Sequence, residues 1–361
     1  MPPTRKEEVE MDLSELEAVT QRLLQQSLNY NEEEAAIITR VLLYAQMRGN
    51  SQGVIKLVTG GVPASDASTH TDIEVEHETK VSARLHGHGT AGMLVLHRAT
   101  SMAIQKAREH GLSIVATHGT SSGTGAIGFY ARSVADNGLV GIILSQSPEL
   151  MAPHGSYEPI FGTNPFAFGI PRDDTSIPIV LDMATSAYAW YALKEARAAG
   201  QPIPPDVAYD AEGHPTRDPS AALSGALRVF DRSHKGSHIA LMVELLAGGL
   251  TGADVEEKWQ RENWGNLVVA IDPEVLGQGL AQFTAKVEAV VRRVEGAKPL
   301  PGATAQERGD GSAQLRSGGD VRGPSLPGSR SEAEAATVAE RGRIRLERSV
   351  YENLMKEVAS I

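Results

Sequence analysis

"HGTSSGTGAIGFYARSVADNG", residues 118–138, holds Gly123, Gly125 and Gly128 in the spacing G-x-G-x-x-G, directly after the apolar run "LSIVAT" of residues 112–117. A strand, a glycine turn and a helix in this order can cradle a pyrophosphate on backbone N–H groups at the helix N-terminus. Two features set this stretch apart from that fingerprint. Residues 118–122 separate the apolar run from the first glycine. The next apolar run, "GLVGIIL", ends in Ser145, Gln146 and Ser147 instead of the carboxylate that takes a ribose. The stretch therefore reads more readily as a loop that needs small residues for close packing, with the dinucleotide turn as the weaker alternative.

Working outward, apolar runs of strand length alternate with helical stretches from about residue 80, with "SIPIVLDM" the last clear strand, which is the texture of an α/β domain. Ahead of it, Asp12 with Glu15 and Asn31 with Glu34 are spaced as N-cap and N3 residues, each before apolar residues at helical spacing, so the first 50 residues predict a helical pair. Residues 304–323 are polar and Gly-rich and predict a mobile insertion. Ser331–Ile361 regains helical periodicity and can fold back on the N-terminal helices. The expected division is a helical part at 7–75, an α/β domain at 76–275, and a C-terminal part at 276–361 that returns to the first, with a flexible insertion at 302–323.

A chain of 361 residues with 41% hydrophobic and 22% charged residues is expected to be folded and globular. Its net charge of -11 argues against a nucleic-acid footprint, which needs clustered basic surface. The absence of cysteine excludes thiol nucleophiles and thiolate metal sites. No run is apolar enough to span a bilayer, the start has no secretory h-region, and the expected location is the cytoplasm.

Several short stretches can carry chemistry. In "RGNSQGVIKL", residues 48–57, Arg48 and Lys56 flank small polar residues and can hold a carboxylate; a helix C-terminus that attracts basic side chains explains them equally well. Asp182, in "PIVLDMATS", stands at the carboxyl end of a strand, where open α/β sheets bind ligands, and can equally cap a helix. His234, Lys235 and Gly236 precede an apolar helix whose N-terminus suits a phosphate or carboxylate. The pairs His234/His238 and His86/His88 lack a further ligand nearby in sequence, so no metal site is expected.

Taken together and in this order, "SQGVIKL", "GTNPFAFGIPR", "LDMATSAYA", "GQPIPPDVAYDAEGHPTRDPSAALSGAL" and "SHKGSHIALMVELLAGGLTGA" resemble the non-Rossmann malate/L-lactate dehydrogenase family, over residues 10–275. Its relatives include ureidoglycolate dehydrogenase and diketogulonate reductase. The resemblance implies a fold class of α/β, with a non-Rossmann NAD(P)-binding sheet domain and a helical N-terminal and C-terminal domain. It implies a homodimer that moves hydride between a nicotinamide and a small 2-hydroxy or 2-oxo acid, or a cyclic imine. Neither nucleic acid nor membrane is an expected partner. By motif match NAD or NADP touches Ser147, Asp182, Met183, Ala184, His234, Lys235 and Gly236, with the Pro327–Ser329 turn nearby, and Gly162, Thr163 and Asn164 line the neighbouring wall. Arg48, Ser51, Lys56 and Asn164 are the expected substrate contacts.

The chain departs from the family pattern where protons move. The usual Ser-His-Gly is Ser51-Gln52-Gly53, the following arginine is Lys56, and the usual Asn-His-Phe-Gly falls on Ser122–Gly125. An amide such as Gln52 can orient a reacting oxygen or nitrogen but carries no proton near neutral pH. Three readings stay open: another group carries the proton, with His118 ahead of Tyr44 and Lys56; the substrate is an iminium ion that arrives protonated; or the chain binds nucleotide without catalysis, as an interaction protein.

Overall fold

The computed structural model describes residues 7–65, 72–120, 122–298 and 324–361; the insertion expected at 302–323 lies outside the described residues. Strand β1 (Glu8–Asp12) leads into helices α1 (Leu13–Gln26), α2 (Glu32–Met47) and the short α3 (Ile55–Val58). Then follow β2 (Glu74–Glu78), β3 (Ser82–His86), α4 (Gly92–His110), β4 (Leu112–Thr120), α5 (Gly128–Asp136), β5 (Val140–Ser145), β6 (Phe166–Ile170) and β7 (Ile179–Met183). A smaller unit contains α6 (Trp190–Ala198), β8 (Ala208–Tyr209), α7 (Pro219–Ser224), β9 (Ala226–Leu227) and α8 (His234–Val243). After α9 (Lys258–Arg261) and β10 (Trp264–Ile271), the chain ends with α10 (Leu280–Glu295), α11 (Ser329–Arg341), β11 (Arg343–Glu347) and α12 (Arg348–Ala359).

The central seven-stranded sheet has the order β2-β3-β4-β10-β5-β6-β7. Only β3 and β4, joined through α4, run parallel; every other neighbouring pair is antiparallel. β10, apolar and almost wholly buried, lies between β4 and β5. The strand–glycine–helix–strand segment at 112–145 therefore forms no adjacent parallel pair, the arrangement that a dinucleotide fingerprint requires. On one face α2, α4 and α5 pack Ile38, Val41, Leu96 and Val134 against Val115, Ile143 and Val268 of the sheet.

The N- and C-terminal segments meet: β1 pairs antiparallel with β11, Met11 opposite Ile344, and α1 and α12 bury Leu16, Leu23 and Leu354 in a second core. Asn31 and Glu34 form the expected reciprocal cap. Asp12 makes no side-chain cap; it closes β1 instead and faces Arg343 at 3.7 Å. β4 runs on to Thr120, past the apolar run that announces it, because the pairing with β10 extends to Trp264. Among the described residues no helix is long and apolar enough to cross a membrane.

Candidate active site

A cleft of about 330 Å³ opens at the ends of β5 and β7, between the glycine loop that follows β4 and the segment 50–63. Its construction begins with Asp182, the penultimate residue of β7. The Gly128 N–H, at the start of α5, donates to Asp182 Oδ2 at 2.8 Å. An internal carboxylate thus takes the helix N-terminus that a pyrophosphate would use in a dinucleotide fingerprint. A Cβ on Gly128 would stand 2.9 Å from the Asp182 side chain, and one on Gly125, at φ +75°, would stand 2.4 Å from Val41. The glycines are there for close packing, as expected, and the loop they form also walls the cleft. Burial pushes the Asp182 carboxyl up to about 6, against the pull of the Gly128 amide.

The first glycine of the spacing, Gly123, lies beside a buried amine. Lys56, on α3, is only 1% exposed, yet its Nζ reaches the cleft, 2.9 Å from where a Cβ on Gly123 would lie. The ammonium sits 3.7 Å over the Tyr191 ring, with Lys194 Nζ at 5.0 Å over the same ring. Among the described residues it has no carboxylate partner. Burial, helped by the neighbouring Lys194 charge, lowers it to about 7, while Tyr191 itself is raised to about 12 by burial. A buried, unpaired amine titrating near neutrality beside a cleft has the properties of a proton carrier.

Tryptophans supply part of the remaining wall. Trp190, Trp259 and Trp264, the three tryptophans of the chain, all line the cleft, and Trp259 and Trp264 meet edge to face at 6.3 Å. Behind them lies a buried polar network. Glu244, on the same buried face as Ala240 and at the start of the π-turn Glu244–Gly248 that continues α8, accepts from Lys258 Nζ at 2.7 Å, Gln146 Nε2 at 2.8 Å and Asn164 Nδ2 at 2.7 Å. Asn266 of β10 bonds both Thr117 and Ser145, pinning the ends of β4 and β5 below the cleft. A second hollow of about 420 Å³ adjoins the first, shares Asn50, Met183 and Ala184 with it, and has Arg232 and Arg330 on its border.

Of the residues read from the sequence, Gln52, Lys56, Ser147, Asp182, Met183, Ala184 and Thr163 come together in the cleft, and Ser51 lines the adjoining hollow. Others go elsewhere. Arg48 is turned away: its guanidinium makes a two-point pair with Glu332 at 3.0 Å and stacks 3.6 Å over Tyr44, so it is not available to a substrate carboxylate. His118 is not brought to the cleft, because its Nε2 is held by Glu76 at 2.8 Å and its ring lies against His86. Tyr44, under Arg48, is raised by burial and stays a phenol. Asn164 is fully buried, its amide committed to Glu244 and the Ala240 carbonyl. His234, Lys235 and Gly236 start α8 outside the cleft, where Ser233 and Asp231 already cap the helix. Gly162 packs against Ser147, and the Pro327–Ser329 turn lies against Val180.

Lys194, Trp190 and Tyr191 escaped the sequence reading although "AYAWYALK", residues 187–194, directly follows "LDMATS" and concentrates aromatics around a lysine. Lys258 gave no signal, since a lysine in the polar run "VEEKWQRE" reads as solvated surface.

Comparison with known proteins agrees with this architecture. A family model described as malate/L-lactate dehydrogenase matches residues 11–355. L-sulfolactate dehydrogenase of Methanothermobacter thermautotrophicus is 35% identical over 282 residues, covering 74% of this chain and 80% of that protein. (2R)-3-sulfolactate dehydrogenase (NADP(+)) of Chromohalobacter salexigens is 35% identical over 296 residues, covering 77% and 86%. The solved structure of delta1-piperideine-2-carboxylate reductase from Pseudomonas syringae superimposes with a TM-score of 0.74 at 29% identity, over 98% of this chain and all of that one.

Proposed function

Because the chain belongs to the malate/L-lactate dehydrogenase family, we propose that it is an NAD(P)-dependent oxidoreductase of a small 2-oxo or 2-hydroxy acid, or of a cyclic imine carboxylate. The observation that carries this reading is the buried, unpaired Lys56 amine at the wall of an aromatic cleft. The two adjoining hollows, about 330 and 420 Å³, each fall in the range of about 300–1,000 Å³ usual for ligand sites. The donor set fits as well: Ser147, Thr163 and the Met183–Ala184 strand end for the nicotinamide side, Arg232 and Arg330 for phosphate. When bound, the nicotinamide supplies or takes the hydride.

The proton is the task of this chain. In reduction of a 2-oxo acid the Lys56 ammonium gives a proton to the carbonyl oxygen and becomes a neutral amine; in oxidation the neutral amine takes the hydroxyl proton. Lys194 holds the substrate carboxylate, the role that Arg48 cannot fill, and Gln52 orients the reacting oxygen or nitrogen. The family resemblance expects a histidine at position 123. A Cβ there would stand 2.9 Å from the Lys56 amine, so the glycine leaves room for the amine where it now lies.

The test is turnover with NADH and with NADPH against a panel of 2-oxo acids, sulfonated 2-oxo acids and cyclic imine carboxylates. Steady oxidation of one reduced nucleotide by at least one class is expected. Binding without turnover of any of them would return the nucleotide-binding reading.

The homodimer belongs to the same proposal. α8 and the turn after it expose Ile239, Met242, Leu245, Leu246 and Leu250, an apolar stripe that suits a second copy. Light scattering on the Leu245→Lys/Leu250→Lys variant is expected to show monomer where the wild type shows dimer. A monomeric wild type would remove the dimer from the account.

A further inference from the structure

Away from the cleft, at the carboxyl ends of β3 and β4, three imidazoles and two carboxylates converge. His86 and His118 are register partners on these parallel strands, with ring centroids 4.6 Å apart. Glu76 falls at the irregularity in the β2–β3 pairing, between Val75 and His77. A bulge of this kind re-aims a side chain, and here the Glu76 carboxylate crosses β3 to reach His118 Nε2 on β4 at 2.8 Å. The His86 ring lies over Gly119, whose φ of +68° and absent Cβ leave the space: a Cβ there would stand 2.7 Å from His86 Cε1. His88 packs on His86 with centroids 3.9 Å apart and is itself held by Glu74 at 2.8 Å. One donor atom from each of Glu76, His86 and His118 lies within 4.8 Å of the other two.

We propose that Glu76, His86 and His118 form a binding site for one divalent transition-metal ion of the zinc class, separate from the cleft. Two imidazoles and one carboxylate make a donor set that zinc accepts, and the nearby His88–Glu74 pair offers a further ligand or an outer partner.

Binding has identifiable costs. Zinc–nitrogen and zinc–oxygen bonds of about 2.0–2.2 Å draw the donors closer than they stand now. Arg84, 2.8 Å from the same Glu76 oxygen, has to release it, which its half-exposed side chain allows. His86 Nδ1 now accepts from the His88 N–H, and that bond has to break whether Nδ1 binds the ion itself or takes the ring proton from a ligating Nε2. The sequence reading missed the site because its donors come from three strands and lie up to 42 residues apart.

Isothermal titration of tag-free, chelator-stripped protein with zinc chloride near neutral pH tests the site. One ion per chain is expected. His86→Ala and His118→Ala should each weaken binding more than about tenfold, the lower edge of what loss of even an outer partner costs. Glu76→Gln keeps the size of the side chain and should weaken binding in the same way, and it decides the matter if an alanine variant does not fold. The His234→Ala/His238→Ala variant, which removes the other imidazole pair, should bind as the wild type does. No zinc uptake by the wild type, equal uptake by the His86, His118 and Glu76 variants, or loss confined to the His234/His238 variant would each overturn the proposal. None of these residues lines the cleft, so the outcome is independent of the redox assignment.

Discussion

Replacing Lys56 by methionine is expected to lower turnover of a 2-oxo acid by about 100- to 10,000-fold, the usual contribution of a positioned acid or base, while NAD(P)H binding persists. The expectation rests on the amine being buried, unpaired and lowered to about 7. The sign of the pH dependence follows. In reduction the amine must begin protonated, so the wild-type rate falls as pH rises through about 7; in oxidation it must begin neutral, so the rate rises through about 7. Lys56→Arg keeps the charge but cannot release it, and both limbs should vanish. A cyclic iminium ion brings its own proton, so the loss in Lys56→Met should be smaller for that substrate. Stability moves the opposite way. Between about 7 and the ordinary lysine range the unfolded chain holds a proton that the folded chain lacks, so stability rises with pH across that window. Methionine removes this liability, and its denaturation midpoint at neutral pH should exceed that of the wild type. Full turnover in Lys56→Met would remove the lysine from the chemistry without touching the family assignment.

The largest effect on stability is expected at Lys258. Its ammonium is fully buried, 2.7 Å from Glu244, and Glu244 also anchors Gln146 and Asn164. Lys258→Met leaves that carboxylate buried without its counter-charge, which costs about 3–5 kcal/mol. Urea denaturation measures the loss. Adding Glu244→Leu removes the stranded charge and should recover part of it. A Lys258→Met protein as stable as the wild type would mean that Glu244 is neutral or wet. Because Gln146 lines the cleft, the single variant should also bind nucleotide more weakly.

What the sequence made legible was local. The Asn31–Glu34 cap and the strand over 112–117 follow from neighbouring residues and appear as expected, the strand continuing to Thr120. The placement of β10 between β4 and β5 is a long-range pairing, and no period within residues 112–145 encodes it. Arg48 and His118 were reasonable candidates by spacing, and each was claimed by a carboxylate distant in sequence: Glu332, 284 residues away, and Glu76, 42 residues away. Lys56 was legible as a cation and illegible as a buried one, since what covers it includes Tyr191, 135 residues on. The Glu244–Lys258 pair was hidden for a similar reason, because Glu244 faces inward with Ala240 and Val243 and its partner lies 14 residues on, in a run that reads as surface.

The central claim, that this cleft receives a nicotinamide, has a direct optical test because every tryptophan of the chain lines it. Titration with NADH or NADPH under tryptophan excitation should quench protein emission and produce sensitised nicotinamide emission, saturating at one nucleotide per chain. Tryptophan emission that stays unchanged as either nucleotide is raised to millimolar concentration would contradict the account.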